Sequence, residues 1–111
     1  MKFSYKIVAF LAIALGVVHI AFTACLSEFD IDALWFAGSG LTIVFAGFLN
    51  LVLIRTFPKD HLVRGLCITA NLITTILFVV AVLTVLQEPQ VVVGIVIFAL
   101  LTIFSILLKN E

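Results

Sequence analysis

Polar side chains are scarce in this chain, so the few set inside its apolar stretches define what chemistry it can do. His19 stands in GVVHIAF, Ser39 and Thr42 in WFAGSGLT, and Asn50, Asn71 and Thr74 in similar surroundings. These six are the candidate intramembrane polar site. An ionisable ring inside an apolar span is a functional candidate, able to hold a proton, bind a metal or meet a ligand. It can equally be a neutral imidazole hydrogen-bonded to a neighbouring helix, far cheaper to bury than a charged group. For the asparagines the bland reading is helix-to-helix glue worth about 0.6 to 2 kcal/mol per bond.

Several chemistries are set aside by spacing. Paired-histidine ligation needs a second ring, and His61 lies more than about 20 Å from His19 along the helices. No His, Cys and carboxylate grouping has zinc spacing. GSG at 38–40 has no Lys-Ser/Thr continuation, so it is no phosphate loop. No carboxylate falls inside an apolar stretch, which removes the pair needed for general acid-base work there. No catalytic set, no metal ligands and no cofactor are expected, and the chain reads as a non-enzyme.

The elements that must position these residues follow from composition. Of 111 residues, 65% are hydrophobic and 11% charged, against roughly half and a quarter in soluble domains. Four apolar stretches, about 5–25, 33–54, 62–86 and 90–108, each reach the roughly 20 residues that cross hydrocarbon. Strands are excluded, because an open sheet in lipid leaves backbone groups unpaired and the stretches lack barrel alternation. Short connections, with Pro58 and Pro89 stopping the helices, make consecutive helices antiparallel neighbours. The expected fold is therefore all-α: one membrane domain, 1–111, built as a four-transmembrane-helix antiparallel bundle. The lipid bilayer is its first partner, and nucleic acid is not one.

Formal net charge is zero, but its distribution is lopsided. Lys2, Lys6, Arg55, Lys59, Arg64 and Lys109 all fall on one side of the four stretches, while Glu28, Asp30, Asp32 and Glu88 fall on the other. The positive-inside rule then sets both termini and the middle loop in the cytoplasm, in the inner membrane. Arg55, Lys59 and Arg64, with His61 among them, are expected to contact anionic head groups at about 1 kcal/mol per cation. Trp35 and Tyr5 are the expected interface anchors.

Cys25 and Cys67 belong to opposite ends of their helices, roughly 20 Å apart, too far for a disulfide, and read as ordinary buried thiols. The run from Lys2 to FTAC at 22–25 resembles a signal ending in a lipoprotein cleavage box. Phe22 in place of an aliphatic residue, and His19 within the apolar region, argue for an uncleaved helix instead.

Helical periodicity places the packing faces. Tyr5, Ala9, Ala12, Gly16, His19 and Thr23 share one face of the first helix. Trp35, Ser39, Thr42, Ala46 and Asn50 share one of the second, and Cys67, Asn71, Thr74, Phe78 and Ala81 one of the third. The fourth offers chiefly Gly94, Thr102 and Ser105 and is expected to be the most lipid-bathed. Small residues on one face permit close approach in lipid, so His19 should point inward, with Ser39 and Thr42 as its nearest polar neighbours.

GVVH in the first helix and LWFAGSGLTIVFAGFLNL at 34–51 resemble small bacterial four-helix membrane proteins of unassigned activity, which carry Gly-x-x-His in helix 1 and an aromatic pair before glycines in helix 2. The resemblance covers residues 16–51. It implies the architecture and a bacterial membrane, and no activity. The length also resembles small multidrug resistance transporters, but their membrane-embedded glutamate in helix 1 is missing and the fixed orientation does not suit their antiparallel dimer. The leading functional reading is a non-catalytic membrane component that associates with itself or with a larger membrane partner. The alternative is an oligomeric transporter or channel for small solutes or ions, using His19, Ser39 and Thr42. An enzyme or quinone-type redox protein is disfavoured by the sparse polar inventory.

Overall fold

The computed structural model describes residues 1–25, 30–84 and 88–109. The expectations for Glu28 and for the last residues of the third stretch, up to Leu86, lie outside the described residues. Four helices follow in order: α1 Lys2–Ala24, α2 Ile31–Thr56, α3 His61–Thr84 and α4 Pro89–Leu107. Each is long and apolar enough to cross a membrane.

Their starts differ by one to three residues from the hydropathy bounds, and at α2 and α3 a carboxylate cap, rather than hydropathy, sets the start. Asp30 is extended and its Oδ1 accepts from the Ala33 N–H at 2.9 Å, so α2 begins before Ala33. Asp60 Oδ1 accepts from the Val63 N–H at 3.2 Å at the head of α3. Pro89 sits in the first turn of α4, where its missing N–H costs nothing.

The helices close a ring in chain order: α1 on α2, α2 on α3, α3 on α4, and α4 back on α1. The α1–α2 contact is the most extensive and rests on glycine. A Cβ at Gly16 would come within 2.5 Å of the Gly40 carbonyl oxygen, and one at Gly40 within 2.8 Å of the Gly16 oxygen. Farther along, Gly47 faces Ile13 and the Ala9 carbonyl. In α3–α4 the Phe78 ring fills the space a Cβ on Gly94 would need, and packs edge-on against Phe98 at 5.8 Å. Tyr5 and Phe104 stack at 5.5 Å where α4 returns to α1.

The α1 face is the expected one: Tyr5, Ala9, Ala12, Gly16 and Thr23 are buried and His19 is half-buried. The α2 face is not. Ala46 and Asn50 are buried, but Trp35, Ser39 and Thr42 are exposed, and Gly40, Ile43, Val44 and Gly47 take their place. Successive residues on a helix are 100° apart, so turning Gly40 onto Gly16 turns Ser39 and Thr42 away. Backbone contact through glycine outweighs placing hydroxyls in the seam, since van der Waals packing is what joins helices in lipid.

The expected order of exposure is also corrected. The described part of α3 buries only Cys67 and Asn71, whereas α4 buries Val91, Gly94, Ile97, Phe98, Leu101, Thr102 and Ser105. The scarcity of polar groups on α4 was a poor guide, because contact there is made by shape.

Candidate functional site

Two places gather the polar side chains, one at each end of the bundle. At the end where the chain starts, four helices meet through Tyr5, Asn50, Cys67, Asn71 and Ser105, all fully buried. Asn50 and Asn71 exchange amide bonds, Nδ2 to Oδ1, at 2.9 and 2.8 Å. The Tyr5 hydroxyl donates to Asn50 Oδ1 at 2.5 Å and the Cys67 thiol donates to the same oxygen at 3.1 Å. Asn50 Nδ2 also reaches back to the Ala46 carbonyl at 2.7 Å, and Asn71 Nδ2 lies 3.4 Å from Ser105 Oγ. Among the described residues no buried side-chain nitrogen or oxygen lacks a partner. In a low-dielectric interior an unpaired amide is costly, so a fully connected network gives these helices a defined register.

Beside this node Arg64 closes the end of α4. Its Nε donates to the Ser105 carbonyl at 3.1 Å, and Nη2 donates to the carbonyls of Ile106 and, at 2.9 Å, Leu108. These acceptors have no partner within their own helix, and the negative end of the helix dipole favours the cation. The guanidinium also lies over the Phe57 ring, 5.2 Å from its centre.

At the other end the described residues line a cleft. Two cavities of about 530 and 550 Å³ meet there and share Leu15, His19, Phe36 and Gln90. Asp32, Trp35 and Ser39 complete one wall, Phe78 another, and Glu88 stands at the rim. His19 stacks on Phe36 with ring centres 4.6 Å apart and planes within 13°. Its Nδ1 is 2.9 Å from the Leu15 carbonyl, an oxygen that can only accept, so Nδ1 carries the proton and Nε2 is the acceptor of the neutral ring. The Gln90 amide N–H donates to Glu88 Oε2.

The six residues expected to form one polar site are therefore divided. Asn50 and Asn71 join at the chain-start end, and His19 and Ser39 line the cleft at the other. Thr42 and Thr74 belong to neither. Thr42 is exposed and bonds the Gly38 carbonyl, and Thr74 bonds the Ala70 carbonyl of its own helix. A threonine within a helix can return its hydroxyl to the carbonyl of the preceding turn, as both do here.

Tyr5 is no interface anchor: it is fully buried because Asn50 offers its hydroxyl an acceptor inside the bundle. Trp35 is 71% exposed and lines the cleft. Arg64 is half-buried and donates to the α4 carbonyls, while Arg55 and Lys59 are exposed. Cys25 is exposed, so only Cys67 is a buried thiol.

Spacing places Phe78 and Ala81 on the α3 face, and both line the cleft. The cleft residues it did not single out include Asp32, Phe36, Glu88 and Gln90. A signal existed in the sequence: all lie at the ends of their helices on the side opposite the cations.

Four apolar helices of spanning length are consistent with a small multi-pass membrane protein. No protein-family model, curated protein or solved structure matches the chain.

Proposed function

We propose that this chain is a non-catalytic component of a bacterial inner membrane, an antiparallel four-helix bundle with both termini cytoplasmic, which associates with itself or with a larger membrane partner. The observation that carries the reading is where the side-chain hydrogen bonds go. Tyr5, Asn50, Cys67, Asn71 and Ser105 tie α1, α2, α3 and α4 to one another, and Arg64 ties α3 to α4. The fully buried polar groups of this node are engaged in holding the bundle together. The pairing of Tyr5 with Asn50, Gly16 with Gly40 and His19 with Phe36 supports opposed directions for α1 and α2. A surface for association is supported by α3, which commits one narrow stripe to its own bundle and leaves Leu62, Leu66, Ile73, Ile76, Leu77 and Leu83 outward.

Native mass spectrometry after extraction in mild detergent is expected to give the polypeptide mass or a small multiple of it. Added mass from a chromophore or cofactor would overturn the non-catalytic reading. The second reading, an oligomeric transporter, draws support from the cleft, where His19 and Ser39 meet. It would replace the first if proteoliposomes showed solute flux that His19→Phe abolishes.

Orientation is tested separately. A cysteine introduced at Lys59 in a background without Cys25 and Cys67 should react with an impermeant maleimide only after the cells are opened. One introduced at Asp30 should react in intact spheroplasts. The reverse pattern would refute the cytoplasmic placement drawn from the cations.

A further inference from the structure

We propose that the cleft at the far end of the bundle binds an organic cation with a bulky, largely aromatic body. The cleft is two adjoining cavities of about 550 and 530 Å³, the first with Glu88 and the second with Asp32, Trp35 and Phe78, joined by Leu15, His19, Phe36 and Gln90. Each falls in the range of roughly 300 to 1,000 Å³ typical of small-molecule sites. The apolar wall is aromatic: Trp35, Phe36 and Phe78 line it, and His19 is stacked on Phe36. Aromatic faces attract a cation that has lost part of its water.

The polar wall is made of acceptors and anions. Asp32 and Glu88 are carboxylates. Among the described residues, His19 spends its N–H on Leu15 and leaves Nε2 as an acceptor, and Gln90 donates to Glu88 and leaves its carbonyl oxygen. No lysine or arginine occurs between Lys6 and Arg55 or between Arg64 and Lys109, so nothing positive competes for the acceptors. A concave surface with one sign of charge concentrates ions of the other. A simple inorganic cation would leave the aromatic wall without a partner, and a lipid chain would leave the acceptors without one. A cation with an apolar body satisfies both. Binding of this kind does not require that the cation be carried across the membrane.

The chain's single tryptophan lies in this wall and reports its occupation. Titration of the detergent-solubilised full chain with tetraphenylphosphonium should change Trp35 emission saturably. Tetraphenylborate, of the same shape and opposite charge, should not do so. Replacing both carboxylates, Asp32→Asn with Glu88→Gln, should raise the half-saturation concentration by roughly tenfold, the scale of two screened ion contacts. Gln90→Lys, which places a positive charge in the cleft, should abolish the response to tetraphenylphosphonium and allow one to tetraphenylborate. Saturable responses to both ions in the parent chain would mean an apolar groove indifferent to charge and would overturn the proposal. So would no response to either ion, or charge variants that keep the parent's thermal midpoint and titrate as it does.

Discussion

Asn50→Leu is expected to destabilise the bundle by about 3 kcal/mol, the scale of stranding buried hydrogen-bonding groups. The Asn50 carboxamide is the centre of the node: Tyr5, Cys67 and Asn71 all donate to its oxygen, and its nitrogen serves Asn71 and Ala46. Leucine has a similar volume, so the loss comes from polarity rather than from a cavity. The Tyr5 hydroxyl and the Asn71 amide would be left in an apolar interior with weaker partners. Equilibrium unfolding in mixed detergent micelles measures the effect.

The companion experiment is a double-mutant cycle with Asn71→Leu. Because the two amides serve each other, the double variant should lose about 1 to 2 kcal/mol less than the sum of the single losses. A single-variant loss under about 0.5 kcal/mol, or strict additivity, would show that the node contributes little and that packing alone holds this end.

Gly16→Ala should cost about 2 to 3 kcal/mol, in the range of overpacking a tight contact. The added methyl would meet the Gly40 carbonyl oxygen at 2.5 Å and the Val44 nitrogen at 2.9 Å. Both are backbone atoms that cannot move aside without shifting α2. Gly47→Ala should also be costly, because its nearest obstacle at 2.5 Å is Cγ1 of Ile13, which β-branching holds in one χ1 rotamer on a helix. Gly38→Ala and Gly65→Ala meet nothing within 4 Å and should be neutral or stabilising by up to about 1 kcal/mol, as the backbone loses less entropy on folding. The ranking is the test: equal effects at Gly16 and Gly38 would mean that α1 and α2 do not approach through glycine.

Much of the architecture could be read from composition alone. Four stretches of spanning length, with cations confined to one side, follow from transfer energetics and chain length. Those terms act residue by residue and need no knowledge of neighbours. The α1 face was readable too, because Ala9, Ala12 and Gly16 recur at helical spacing and Gly16 is the one glycine of that helix. On α2 two faces competed, one with hydroxyls and one with glycines, and periodicity could not rank them. Their order depends on which lets two backbones touch, a property of the pair of helices.

The candidate site shows the same division. The sequence by itself determined that a handful of polar groups lay in apolar spans, and that each needed a partner, since an unpaired amide or hydroxyl there is too costly to leave. It also determined that one end of the helices would carry carboxylates without cations. Only the tertiary structure decided who pairs with whom. It brought Tyr5, from the start of the chain, to Asn50 and Cys67, and turned Thr42 outward. It set His19 roughly 20 Å along α1 from Tyr5 and the asparagines, and assembled Asp32, Phe36, Phe78 and Gln90 around His19. Partner choice within a span rests on helix rotation and depth, and these are set by close packing between helices that no single segment encodes.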